Sequence, residues 1–143
     1  MSKWILIALL ALPFAVSATE NEIDCDNAMN TMDINHCAYL ELESSQAELL
    51  AYLEASFEHN NDDLELMGAI KLSQQDWQAY KTSHCDSIYT QWREGTIRGV
   101  MAISCETRLT QQRAHEIWLN FLTYMDSTEP VLPEPRVFSE DPD

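Results

Sequence analysis

Residues 42–93 read LESSQAELLAYLEASFEHNNDDLELMGAIKLSQQDWQAYKTSHCDSIYTQWR, and this stretch decides the fold class. Leu42, Gln46, Leu49, Leu53 and Phe57 recur at three- and four-residue steps. Leu50 widens the stripe, while Ser44, Glu48 and Ser56 fall on the other side. That spacing is one face of an α-helix. His59-Asn60-Asn61-Asp62-Asp63 interrupts it, and Asn and Asp side chains favour turns and helix N-caps by bonding nearby backbone N–H groups. A second stripe then follows: Met67, Ile70, Gln74, Trp77, Lys81, His84 and Ile88, flanked by Leu66, Tyr80 and Trp92. It predicts a helix from about Asp63 to Arg93, weakened but not ended by Gly68. The pair forms a long antiparallel helical hairpin.

Glu94-Gly95-Thr96-Ile97-Arg98-Gly99 reads as the main loop. A third helix is expected from about Val100 to Tyr124, on the stripe Met101, Cys105, Leu109, Arg113, Ile117 and Phe121. The C-terminal sequence from Asp126, DSTEPVLPEPRVFSEDPD, is rich in Pro and acids and is expected to be disordered over residues 126–143. Upstream, residues 19–32 form a polar lead-in. Residues 1–18 carry Lys3, an apolar run from Trp4 to Val16 and the small-residue end Val16-Ser17-Ala18, the pattern of a cleavable signal peptide. The run is shorter than the roughly 20 residues a membrane span needs. The reading is therefore all-α: a signal peptide, one domain over residues 19–125 with the third helix along one face of the hairpin, and a tail.

An even number of cysteines in a small exported domain reads as a disulfide framework. Cys37 and Cys85 are equidistant from Asn61 and sit at one height of the hairpin; Cys25 and Cys105 can reach the same end. Two pairings compete. Cys25–Cys37 with Cys85–Cys105 needs only local geometry and is preferred; Cys37–Cys85 with Cys25–Cys105 staples the helices across. Spacing alone does not choose. The adjacent pairs His36-Cys37 and His84-Cys85 raise zinc as a further reading. Adjacent helical residues point about 100° apart and the compartment is oxidising, so disulfides are preferred and no metal or other cofactor is expected.

The formal net charge is −16, and no Lys or Arg occurs between Lys3 and Lys71, an interval with thirteen Asp and Glu. Nucleic acid and anionic membranes are poor partners for such a chain, and a cationic protein is a better one. No nucleophile–base motif, H-E-x-x-H or phosphate-binding Gly-rich loop is present. An enzyme is not expected. Trp77 lies on the apolar stripe and is read as core. Trp92, beside the loop, is a candidate anchor for a partner.

The ordered motifs carry a resemblance. Cys25, Ala28, Thr31, Asn35, Cys37 and Ala38, the Leu49-x-x-Tyr52 step, Gln74-x-x-Trp77-x-x-Tyr80 followed by Cys85, Gly95-Thr96, and Cys105 followed by Leu109-Thr110-x-x-Arg113 together resemble the LprI-type lysozyme inhibitor domain of bacterial envelopes. Leu50 departs from an Asn, and Lys81-Thr82 from an Arg-Asp pair, that are usual there. The shared residues look structural, so no inhibitory residue is transferred. What the resemblance implies is inhibition of lysozyme by binding. A second reading is an envelope interaction module with a non-lysozyme partner. For either, Trp92, Glu94, Gly95 and Thr96 are the candidate wedge, and Glu41, Glu48 and Glu58 the candidate source of attraction for a cationic protein. The expected location is periplasmic or secreted, with no membrane association after signal cleavage.

Overall fold

A computed structural model describes residues 23–136; the signal-peptide expectation and residues 137–143 lie outside them. A single 3-10 turn, Cys25–Asn27, precedes three helices: α1 (Thr31–His59), α2 (Leu64–Gln91) and α3 (Arg98–Phe121). Each of the first two begins on a side-chain cap. Asn30 accepts from the backbone N–H of Asp33 at 3.0 Å, and Asp63 from that of Leu66 at 2.9 Å, satisfying donors that have no partner within the helix. Between them the Asp63 N–H donates to the carbonyl of Asn60, which closes the turn expected at His59–Asp63.

α2 runs antiparallel to α1, and α3 returns parallel to α1. Both α1 and α2 pack extensively on α3, while they have little backbone contact with one another. The third helix therefore lies between the arms of the hairpin, a finer arrangement than packing along one face. Small side chains permit the close α1–α3 seam: Ser45, Thr110 and Ala114 are fully buried. The Gln111 side chain crosses it, donating to Glu41 Oε1 at 3.1 Å and Ser45 Oγ at 3.2 Å.

Near the turn the three helices share one core. Leu49, Tyr52 and Leu53 from α1 meet Ile70 from α2 and Ala114 and Ile117 from α3, with Leu122 just beyond; Trp77, Trp118 and Phe121 pack around them. At the other end Cys85, Cys105 and Leu109 form a smaller cluster between α2 and α3, with Trp77 and Ile88 against it. Trp77 thus joins both clusters, as its place on the stripe predicts. Each full burial of a large apolar side chain in these clusters contributes roughly 1.5–3 kcal/mol.

The disulfides are Cys25–Cys37 and Cys85–Cys105, with Cα–Cα distances of 5.6 and 5.7 Å. The first ties the N-terminal turn to α1, and the second ties the end of α2 to the start of α3. Both are the local bridges.

The chain does not lose order at Asp126. α3 stops at Phe121, and the Val131 N–H donates to the carbonyl of Leu122 at 2.8 Å. Residues 131–136 then run back along the bundle. Trp118 Nε1 donates to the Leu132 carbonyl at 2.9 Å, and the Tyr52 hydroxyl to the Pro133 carbonyl at 2.6 Å. Leu132 packs on the core and Pro135 is buried. Composition predicts disorder here because it counts charge and proline. It does not register that buried Tyr52 and half-buried Trp118 need acceptors or that proline-rich chain has little backbone freedom to lose.

Candidate partner-binding surface

The loop between α2 and α3 spans residues 92–97. Gly95 N–H donates to the Trp92 carbonyl at 2.8 Å and Arg93 N–H to that of Thr90 at 3.2 Å, so the backbone is bonded into a tight turn. The Cys85–Cys105 bridge fixes its base. The side chains face outward: Trp92 is 40% and Ile97 42% exposed, and Glu94 is almost fully solvated beside Arg93. Next to them the Arg98 guanidinium lies 5.0 Å from the Tyr89 ring centre. The loop thus presents apolar and aromatic surface on a constrained backbone.

The acids expected to act with this loop are not gathered around it. Glu41 and Glu48 lie along α1 and share one cation: Arg136 reaches Glu41 Oε1 at 3.4 Å with Nη1 and Glu48 Oε2 at 3.5 Å with Nε. Glu58 is exposed near the hairpin turn. It stands about 25 Å further along the helix than Glu41 at 1.5 Å per residue, at the end away from the loop. Trp92, Glu94, Gly95 and Thr96 share one loop; Glu41 and Glu48 make a second locus; Glu58 belongs to neither.

The glycine that matters sterically is Gly99. A Cβ there would stand 2.5 Å from Asn35 Oδ1, whereas one on Gly95 would meet its nearest neighbour, the Trp92 carbonyl oxygen, at 3.4 Å. Gly95 has no positive φ, so nothing in the fold reserves that position for glycine. Gly99 allows the start of α3 to press on α1.

Two hollows flank α3. One, of about 210 Å3, opens between α1 and α2, with Trp77, Lys81, Gln46 and Leu50 in its walls and Thr110 at its floor. Lys81 is buried, paired with Glu106 at 3.3 Å, and its ammonium lies 5.5 Å from the Trp77 ring centre. That pairing, together with the ring's π-face, makes burial of the ammonium tolerable. The other hollow, of about 200 Å3, lies between α1 and α3 and is lined by Ala38, Glu41, Ser104, Thr107 and Gln111. The sulfurs next to His36 and His84 are spent in disulfides, and His84 stacks on Tyr80 with ring centres 5.4 Å apart.

The family model for the lysozyme inhibitor LprI matches residues 25–117. The chain belongs to the LprI lysozyme inhibitor family. A curated relative from Rhizobium meliloti (strain 1021), described as an uncharacterized protein, is 28% identical over 123 residues, covering 78% of this chain and 88% of its own length. No solved structure matches the chain.

Most motif residues shared with the LprI pattern hold the three helices together. Arg113 joins α3 to α2, donating to Gln74 Oε1 at 3.0 Å and Ser73 Oγ at 2.9 Å, and pairs with Glu116 at 3.0 Å. Tyr52 is buried, and its hydroxyl pKa is raised by burial and, secondarily, by the Glu48 carboxylate. Tyr80 differs. It is 53% exposed, on the outer side of α2, so its place in the LprI motif is not explained by core packing. Three residues that periodicity does not single out are central here: Asn35 facing Gly99, Gln111 in the α1–α3 seam, and Arg136 on the two glutamates. Their signal is polar burial or contact across distant sequence, which a one-dimensional stripe does not register.

Proposed function

We propose that this protein is an exported inhibitor of cationic, chicken-type lysozyme and acts by binding the enzyme. Membership of the LprI lysozyme inhibitor family, matched across residues 25–117, carries the reading. Charge supports it. A chain of net charge −16 is steered toward a basic enzyme and repelled by acidic surfaces. Two disulfides suit an oxidising compartment, and the sequence of residues 1–18 supports periplasmic delivery or secretion. Among the described residues no helix is long and apolar enough to cross a membrane.

In this proposal the Trp92–Thr96 loop is the wedge. Its exposed indole and its disulfide-fixed base provide area on a backbone that loses little freedom on binding. Glu41 and Glu48, a separate locus along α1, supply attraction, and Glu58 contributes only to the long-range field.

A peptidoglycan lysis assay with the purified mature chain tests the proposal. Inhibition of lysozyme at micromolar inhibitor in low salt is expected. Replacing Glu94-Gly95-Thr96 with three Ala should remove it while circular dichroism keeps the helical signal. Full lysis at micromolar excess rejects the proposal for the enzyme tested. Salt near 0.5 M separates steering from fit: screening then acts within about 4–5 Å, so an inhibitor that works only by net charge loses all effect.

A further inference from the structure

The hollow between α1 and α3 has a mostly apolar surface, and the few polar groups set into it are mainly acceptors. Both Gln111 amide contacts go to Glu41 and Ser45, which leaves Gln111 Oε1 buried without a hydrogen-bond partner among the described residues, on a residue only 6% exposed. The Thr107 hydroxyl proton is committed to the Ile103 carbonyl at 3.0 Å, so in the lining its oxygen can act only as an acceptor. The Glu41 carboxylate stands at the rim. Only the Ser104 hydroxyl offers a donor among the lining side chains. A negatively charged, acceptor-rich recess selects a cation bearing several N–H groups.

The chain already places such a group at its edge. Arg136 sits on Glu41 at 3.4 Å, on Glu48 at 3.5 Å and on Ser44 Oγ at 3.0 Å. The two carboxylate distances exceed the roughly 2.7–2.9 Å of well-formed charge-assisted bonds, and Gln111 Oε1 is left without a partner. Arg136 covers the rim and leaves the interior acceptor unused. Ser104 lies seven residues beyond Ile97, about 10 Å along α3, so a protein seated on the Trp92–Thr96 loop can reach the recess with one side chain.

We propose that this recess is a binding site for an arginine side chain of the basic protein partner, and that Arg136 is its intramolecular competitor. The identity of that partner rests on the lysozyme-inhibitor reading; the guanidinium site does not. The guanidinium would donate to Glu41 and Gln111 Oε1, and Thr107 Oγ1 would accept a further N–H. Removing Arg136 frees both glutamates and opens the rim.

Two measurements on the purified mature chain decide the matter. In the first, N-acetyl-arginine amide is titrated into wild type and Arg136→Ala, and the Gln111 side-chain amide signals are followed by NMR. The neutral N-acetyl-citrulline amide is the control. A saturable shift with the arginine compound, tighter in R136A by about threefold, is expected. Equal shifts from both compounds, or none in R136A, overturn the site. In the second, lysozyme affinity is compared among wild type, R136A and Glu41→Gln. R136A should bind about threefold more tightly and E41Q about tenfold more weakly, less than the loss for a fully buried charge pair because the Glu41 side chain is half-exposed. Lysozyme affinity unchanged in E41Q overturns the site as the enzyme's contact and leaves the inhibitor reading standing. A saturable arginine shift without any lysozyme binding does the reverse.

Discussion

Around the Asn60–Asp63 turn the three helices meet in one apolar core, whereas at the loop end α2 and α3 are joined by a disulfide over a cluster of only three buried residues. The first end is held by packing among Leu49, Leu53, Ile70 and Ile117. The second is held by a covalent bond, the pair of buried Lys81 with half-buried Glu106 and the small contact of Gly99 with Asn35. The exposed Trp92 and the acceptor-rich recess belong to the second end. A surface that must present apolar and polar groups to a partner cannot bury them in its own core, and a cross-link keeps it rigid without doing so.

The largest break in that comparison is Ile117→Ala. Ile117 is fully buried where all three helices meet, so a loss of about 2–5 kcal/mol is expected, read as a fall in the denaturant midpoint. Second is removal of the Cys85–Cys105 bridge by a double Ser substitution. Its 20-residue separation predicts a loss of about 3 kcal/mol by the chain-entropy argument. Amide exchange should then rise in the last turns of α2 and the first of α3 and stay low around Ile70 and Ile117. Uniform loosening breaks the distinction between the ends.

A smaller test concerns Tyr52, whose hydroxyl bonds the Pro133 carbonyl. Tyr52→Phe should cost about 1 kcal/mol near neutral pH. The raised pKa adds a sign. The fold favours the neutral hydroxyl, so its contribution is complete below the ordinary tyrosine value near 10 and is lost as pH rises through the higher folded pKa. Thermal melts from pH 8 to 11.5 should fall more steeply for wild type than for Y52F; parallel curves refute this. Of similar size is Gly99→Ala. Its Cβ would meet Asn35 Oδ1, which must swing aside, at a cost of about 1 kcal/mol. The equivalent Gly95→Ala should be close to neutral.

The hairpin is legible because its core positions obey helical spacing: Leu42, Leu49, Leu53, Ile70 and Lys81 are all buried. The local disulfides are legible in part, since a short loop next to a helix end needs no tertiary information. The seating of α3 between the arms is not. It depends on buried polar side chains off the apolar stripes: Gln111 pairs with Ser45 across the seam, and the Thr110 hydroxyl donates to the Glu106 carbonyl of its own helix. The C-terminal segment is misjudged for a related reason, because its acceptors serve Tyr52 and Trp118 far back in the chain. Of the candidate surface, the exposed Trp92 loop could be anticipated. The division of the acids between Arg136 and open solvent could not, because it rests on one arginine meeting two glutamates about ninety positions earlier.

The parallel pairing of α1 with α3 also bears on how quickly the chain reaches its native state. Helical hairpins gain speed from contacts between neighbours in sequence, yet here the neighbouring arms have little backbone contact, and α1 finds its main partner only after α2 has been crossed. The local pair is α2 with α3, tethered by its own cross-link. That pair should assemble first and α1 should dock last. Mutations in the α2–α3 contact should then slow refolding in stopped-flow traces, and mutations in the α1–α3 seam should mainly quicken unfolding.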